Sequence, residues 1–249
     1  MILIISGTKD GRNIIKQLND ENYKLMASTV GAYGKDLIKK VADIAVNDTP
    51  FSYDSLISLI KDNNIDTIVD ASHPFAVNVS KLAIKVCDEL KKKYIRYERE
   101  SVIDLYDNEN IIKVNSYEEA ATQALKFKGI IFSTIGSNYL ETLCNTIPIE
   151  RLVVRVLPQS KILFKCEGLG LKPANIIGLQ GPFSKELNKQ LFIQYNTEVM
   201  ITKESGEIGG VREKIDAALE LDIRIIIVTR PKLVYPSIVQ NMEQLIEKL

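Results

Sequence analysis

The sequence predicts an α/β protein built on two doubly wound parallel sheets, and three observations predict it. Apolar Ile/Val/Leu runs alternate with amphipathic segments along nearly the whole chain. Several of these runs are continuously apolar, which is how strands buried on both faces read. The runs also outnumber the about four to six strands of an ordinary sheet, so two sheets are expected.

The strand candidates fall at 2–6, 24–29, 44–46, 67–70, 94–98, 112–114, 130–134, 152–156, 175–179, 198–202 and 224–228. Helical patterns lie between them at 12–18, 53–61, 117–126, 139–142, 185–194, 211–220 and 237–249. The clearest helix is expected over 74–93, where Phe75, Val79, Leu82, Ala83, Val86, Cys87 and Leu90 form one apolar stripe. Pro74 suits its first position, where no backbone N–H is needed. Ser184 is a sound N-cap for the helix that follows it. The polar stretch 100–110, with Asp107-Asn108-Glu109-Asn110, breaks the alternation. It places the expected units at 1–105 and 106–249.

Composition narrows the function. The 249 residues carry 32 Lys+Arg and 32 Asp+Glu, so no global field favours nucleic acid or an anionic membrane. No apolar run approaches the ~18–20 residues of a membrane span, and the short run at 2–6 lacks the flanks of a signal peptide. Cys87, Cys144 and Cys166 are far apart and odd in number, which gives neither a disulfide framework nor a metal spacing. With one histidine, no multi-His metal site forms, and no protein-bound metal is expected. A reducing cytoplasm fits this cysteine usage.

In open α/β sheets, ligands bind beyond the carboxyl ends of the strands. The first such loop, Ser6-Gly7-Thr8-Lys9-Asp10-Gly11-Arg12, runs from a strand through a glycine into a helix, the layout of a phosphate site. The second, Ser28-Thr29-Val30-Gly31-Ala32-Tyr33-Gly34, lies where dinucleotide folds meet the adenosine ribose. It has neither an acid nor an arginine, only hydroxyls and glycines. The third, Asp70-Ala71-Ser72-His73-Pro74-Phe75-Ala76, carries the single histidine, a hydrogen-bond donor or a proton donor. In the second half come Ser133-Thr134-Ile135-Gly136-Ser137-Asn138, then Gly181-Pro182-Phe183-Ser184, then the stretch from Lys203 through Ser205 and Gly206 to Gly210. Thr229-Arg230-Pro231 ends the last strand, and Arg230 there is a candidate to hold a carboxylate. No Gly-x-Ser-x-Gly elbow is present, and beyond His73 there is no His partner for a cysteine nucleophile, so hydrolase chemistry ranks low. Loops that hold anions and a cofactor suit hydride transfer, in which the cofactor carries the chemistry.

The order and spacing of these strings resemble the precorrin-6A reductases of cobalamin biosynthesis over nearly the full chain. Asp70-Ala71-Ser72-His73-Pro74-Phe75-Ala76 and Gly181-Pro182-Phe183 carry most of the resemblance. It implies two Rossmann-like lobes with a nicotinamide cofactor in the cleft between them. It also implies hydride transfer to ring carbon C19 of a tetrapyrrole, precorrin-6A or its cobalt complex, with a proton added nearby. Gly7, Thr8, Asp10, Thr29, Gly31, Ser72, His73, Pro74, Gly136, Ser137, Gly181, Pro182 and Phe183 become expected cofactor contacts. Lys203, Ser205, Gly206, Arg212 and Arg230 become expected substrate contacts, with Lys9 and Arg12 as further cations for its carboxylates. The catalytic proton donor stays unassigned, with His73 the candidate. The family commonly shows an Ala-Gly-Arg-Thr-like string after the second strand, where this chain reads Val30-Gly31-Ala32-Tyr33. The missing arginine weakens the case for a 2′-phosphate and favours NADH over NADPH, with cobalt-precorrin-6A as substrate. Two other readings stand beside this one: a two-lobed glycosyltransferase-like enzyme, which needs a nucleotide-binding acid or basic pair in the second lobe, and a non-enzymatic ligand-binding module.

Overall fold

A computed structural model describes residues 1–205 and 210–249. It contains two six-stranded, all-parallel sheets, each in its own compact unit. The first unit comprises Met1–Glu100 and Pro231–Leu249, and the second Ser101–Arg230.

In the first unit the chain runs β1 (Ile2–Ser6), α1 (Lys9–Asp20), β2 (Leu25–Ser28), α2 (Ala32–Lys39), β3 (Ala45–Asn47), α3 (Tyr53–Asp62), β4 (Thr67–Ala71), α4 (Val77–Glu89) and β5 (Lys93–Tyr97). The second unit holds β6 (Ile111–Val114), α5 (Tyr117–Ala124), β7 (Ile130–Ser133), α6 (Leu140–Thr146), β8 (Leu152–Val156), α7 (Ser160–Gly168) and β9 (Ile176–Gly178). It continues with α8 (Lys185–Gln194), β10 (Thr197–Lys203), α9 (Val211–Leu219) and β11 (Arg224–Val228). The chain then returns to the first unit with β12 (Ile238–Val239) and α10 (Met242–Glu247).

The strand orders are β12-β5-β4-β1-β2-β3 and β6-β11-β10-β7-β8-β9. If β7 to β11 are matched with β1 to β5, the two sheets have the same order. In each, the order reverses beside the first of these strands, between β1 and β4 or between β7 and β10. That reversal is where open α/β sheets make their ligand crevice.

The continuous apolar runs follow from burial on both faces. In β1, Ile4 enters one core with Ile14, Ile15, Ile38 and Leu245, while Leu3 and Ile5 enter the opposite core with Leu56, Ile60, Ala83 and Val86. In the second unit, Phe132, Met200, Ile225 and Ile227 pack under Phe192, Val211, Ile215 and Ala218 of α8 and α9.

Three expectations are corrected, and two helices add to the reading. The unit expected over 106–249 loses its last segment, because Ile238 and Val239 pair with Arg96 and Tyr97 of β5. The apolar stripe at 237–249 is split into this short strand and α10, whose Leu245 is buried in the first unit's core. The helix expected from Pro74 begins at Val77, because Ala76 N–H donates to His73 C=O and closes a turn over Pro74. Two helices went unread. α2 follows Gly31 and contains Gly34, and α7 buries Cys166 while Phe164 stays exposed, so neither shows a clean stripe. The expected cap holds: Ser184 Oγ accepts from Leu187 N–H. Among the described residues no helix is long and apolar enough to cross a membrane.

Gly11 and Gly7 test how closely α1 seats on β1. A Cβ at Gly11 lies 2.4 Å from Ser6 Oγ and 3.1 Å from Ser6 Cα, whereas one at Gly7 meets nothing within 4 Å. Gly11→Ala therefore lowers stability by about 1–3 kcal/mol despite alanine's better helix propensity. Gly7→Ala leaves the melting temperature within about 2 °C of wild type, since one kcal/mol moves Tm by only ~2–4 °C in a chain of this size. Thermal melts of both variants check this.

Candidate functional site

At the first unit's reversal point, Thr8 joins the two strand ends. Its hydroxyl accepts from Gly11 N–H at 3.1 Å, capping α1, and donates to Ala71 C=O at the end of β4, also at 3.1 Å. Thr8 thus ties the β4 end to the start of α1 through its hydroxyl. Exposed Gly7 leaves its backbone uncovered before the α1 N-terminus, an arrangement that accepts an anion. Asp10 is held by Arg99 at 2.6 Å, and Arg12 Nη1 donates back to Thr8 C=O at 3.1 Å. Lys9 is exposed.

The loop after β4 rests on a buried charge network that the sequence reading missed. Asp70 is 0% exposed and Arg96 1%. They are register partners on β4 and β5, with Arg96 Nη1 at 3.1 Å from Asp70 Oδ1. Asp70 also accepts from Ser72 N–H at 3.0 Å, Ser80 Oγ at 2.6 Å and Tyr94 Oη at 2.6 Å. Arg96 further donates to Ser72 Oγ at 3.2 Å and to Glu98 at 2.6 and 2.9 Å. Burial pushes the Asp70 carboxyl up, but Arg96 and the three donors outweigh it and hold it below its ordinary value. The network fixes Ser72 and so positions His73. His73 Nδ1 accepts from Phe75 N–H at 3.2 Å, which leaves the proton of the neutral ring on Nε2. Pro74 is half-buried in the same turn.

At the end of β2, Thr29 is buried against Gly34, while Gly31 adopts φ +81° ahead of α2 with open space around it. Val30 is exposed, and Lys35 of α2 pairs with Asp48 at 3.2 Å.

In the second unit, Thr134 N–H and Oγ1 both donate to Ile201 C=O, tying the β7 loop to β10. Gly136 turns with φ +82° into open space, and Ser137 C=O accepts from Lys165 Nζ at 3.0 Å. The Gly181-Pro182 peptide is cis. Pro182 lies against Gly210, where a Cβ comes 3.4 Å from the proline ring. Phe183 supports Arg155, whose guanidinium sits 4.3 Å from the ring centroid. Arg230, expected to clamp a substrate carboxylate, also has an internal partner: its Nε lies 3.2 Å from buried Glu204, and its backbone N–H donates to that carboxylate at 3.0 Å. Arg212 is exposed, Ser205 is half-buried, and Gly206 lies outside the described residues. Lys203, at the end of β10, is pushed below its ordinary pKa by burial.

Two further cations escaped the sequence reading. Arg155 is 8% exposed and Lys214 6%. Burial brings Arg155 down to about 10. Burial, then the nearby charges of Arg155 and Lys203, bring Lys214 down to about 7. Both had a signal. Arg155 interrupts Val153-Val154-Arg155-Val156, and Lys214 occupies the apolar stripe of Val211, Ile215 and Ala218. The cysteines are free thiols, and burial raises Cys87 to about 12 and Cys144 to about 11.

This geometry, with two parallel sheets and reactive loops at their reversal points, meets a family match over residues 1–249 to "Precorrin-6x reductase CbiJ/CobK". The chain belongs to the CbiJ/CobK precorrin-6x reductase family. It is 39% identical to the cobalt-precorrin-6A reductase of Priestia megaterium, over 100% of this chain and 98% of that protein. It is 40% identical to the one from Methanocaldococcus jannaschii, over 99% and 96% of the two chains. The precorrin-6A reductase of Mycobacterium tuberculosis is 26% identical over 93% and 89%. The solved structure of CobK precorrin-6A reductase superposes with a TM-score of 0.81 at 18% identity, covering 99% of this chain and 95% of that one. The precorrin-6x reductase fold is therefore shared in full.

The Asp70 network yields a pH prediction. A carboxyl whose folded pKa lies below its ordinary 3.8 is charged in the folded state at pH values where the unfolded chain is already protonated. Its stabilisation is complete above pH ~4 and is lost as pH falls through the folded value. Asp70→Asn therefore lowers urea stability by about 3–5 kcal/mol at pH 7, the range for breaking a buried pair. The gap to wild type narrows below pH ~4. A gap that stays constant from pH 7 to pH 3 overturns this account.

Proposed function

We propose that this chain reduces cobalt-precorrin-6A to cobalt-precorrin-6B, with NADH as the hydride donor. The observation that carries the reading is the reductase family match along all of residues 1–249. Identities of 39% and 40% to relatives named cobalt-precorrin-6A reductase, against 26% to one named precorrin-6A reductase, support the cobalt complex as substrate.

The first unit suits a dinucleotide. Gly7 lets a ligand approach the backbone, α1 offers its N-terminal dipole, and Thr8 keeps the β1 and β4 loops together. A reduced nicotinamide supplies the hydride, and the chain's own groups bind and orient. The choice of NADH rests on the β2 end. Residues 30–34 carry no cation, and Lys35, the first on α2, is engaged by Asp48. A 2′-phosphate has no ready partner there. In fluorescence titrations NADH binds at least tenfold more tightly than NADPH. The reverse order keeps the reductase and removes the NADH assignment. Absence of binding to either, with no cofactor oxidation on adding cobalt-precorrin-6A, removes the reductase reading.

His73 is assigned to holding the ligand. Its Nδ1 is occupied by Phe75 N–H, so the neutral ring donates from Nε2. His73→Ala raises the KM for NADH about tenfold, the loss of one hydrogen bond of about 1.4 kcal/mol, and leaves kcat within about threefold. A fall in kcat of a hundredfold or more makes His73 the proton donor instead.

A further inference from the structure

Dinucleotide folds tell NADH from NADPH at the adenosine ribose. An acid near the end of the second strand accepts from the ribose 2′-hydroxyl, whereas a basic residue there takes a 2′-phosphate. Residues 28–34, which end β2 and lead into α2, contain neither an acid nor a base. Lys35 follows on α2, and the fold brings Asp48 to it from the end of the next strand.

β3 lies beside β2 in parallel register, with Asn47 opposite Ser28. Two backbone hydrogen bonds carry the pairing past the strand ends. Thr29 N–H donates to Asn47 C=O at 2.9 Å, and Gly31 N–H donates to Asp48 C=O at 2.8 Å. Asn47 steadies the turn that follows β3. Its Nδ2 donates to Ser28 Oγ at 3.3 Å and to Thr49 C=O at 2.7 Å, and its Oδ1 accepts from Thr49 Oγ1 at 2.9 Å. Asp48 is thus tied by its main chain to the glycine turn of β2. Gly31 in that turn has φ +81°, and a Cβ built on it meets nothing within 4 Å, so a ligand can approach the backbone there. The Asp48 carboxylate pairs with Lys35 Nζ at 3.2 Å, with the two side chains 34% and 42% exposed. A pair this exposed adds little to stability, so the fold does not depend on it.

We propose that Asp48 sets the cofactor choice: its carboxylate accepts from the adenosine ribose 2′-hydroxyl and neutralises Lys35, the cation that a 2′-phosphate needs. The proposal rests on the NADH reading above and names the residue behind it. A hydroxyl gains an ionised acceptor, which makes a strong hydrogen bond. A phosphate meets a like charge and finds the nearest cation taken. One residue therefore supplies both the attraction to one cofactor and the repulsion of the other. The acid comes from the strand beyond the usual one, which is why the sequence after β2 shows none.

The test titrates the full chain, wild type and Asp48→Asn, with NADH and NADPH by fluorescence and with adenosine 2′,5′-bisphosphate by calorimetry. Asparagine keeps an acceptor and removes the charge. Asp48 holds Gly31 through its main chain, so the variant melts within about 2–4 °C of wild type. Its Kd for NADPH falls about tenfold and its Kd for NADH rises about threefold, the size expected for one hydrogen bond or ion pair to a charged group. Adenosine 2′,5′-bisphosphate, which carries no nicotinamide, gains affinity as NADPH does. The double variant Lys35→Gln/Asp48→Asn loses the NADPH gain, because the freed ammonium is gone. Asp36→Asn, which removes an exposed charge from the same helix, leaves both affinities within about twofold.

A Kd ratio of NADPH to NADH in Asp48→Asn that stays within twofold of wild type overturns the proposal. So does an NADPH gain that survives in the double variant or appears equally in Asp36→Asn. Wild type that binds NADPH more tightly than NADH removes the NADH assignment, and Asp48 then stands or falls on the same ratio. Wild type that binds neither cofactor removes the nicotinamide reading and the role of Asp48 with it.

Discussion

Parallel pairing is the constraint on which the rest of the structure depends. Two parallel strands cannot be joined by a hairpin, so each strand hands its chain to a crossover. Every strand of a sheet therefore ends at the same edge, and every loop that leaves a strand end collects there. Thr8, His73 and Gly31 gather at one such edge, and Gly136, Lys203 and Arg155 at another. The crossover helices cover both faces of each sheet, which is why β1 and β11 are apolar on both sides. The same covering gives buried strand-end charges their cost, so the few that are present carry meaning.

Those charges are handled in two ways. Asp70 sits beneath the loop of the only histidine, and its two oxygens are met by donors from that loop, α4 and β5. A network satisfied to that degree fixes geometry and has no capacity left for a ligand. Arg155 is also oriented, by an amide and an aromatic face, but it is not neutralised. Arg230 shares a feature with Asp70: buried Glu204 faces its Nε and neutralises part of its charge. A cation at a strand end is a candidate only after its internal partners are counted, and that count needs coordinates.

The fold was largely legible because its signal is local. Continuous apolar runs read as two-face-buried strands, and Ser184 read as a cap from its position alone. Where the signal is weak the reading failed for identifiable reasons. β12 has two residues, too few to show a pattern, and it pairs with a strand more than 130 positions earlier. α2 begins amid glycines, and α7 buries little. The site was half legible. Gly7 and Thr8 could be placed from the strand–glycine–helix order, because that order itself makes the crevice. Asp70 and Arg96 could not be recognised as partners, since nothing in the sequence sets β4 beside β5. Lys214 stands in the sequence as a charge on an apolar stripe, but only the packing of α9 shows that it is buried.

The two units also differ in how they treat charge at their strand ends. The first unit offers an open glycine, a helix N-terminus and neutral donors, a set that suits a pyrophosphate bound through backbone N–H groups. The second buries Arg155 and Lys214 near its strand ends. Selection against instability removes such residues unless they serve function. Lys214 is the clearer case, because methionine would fill the same stripe with no charge to bury.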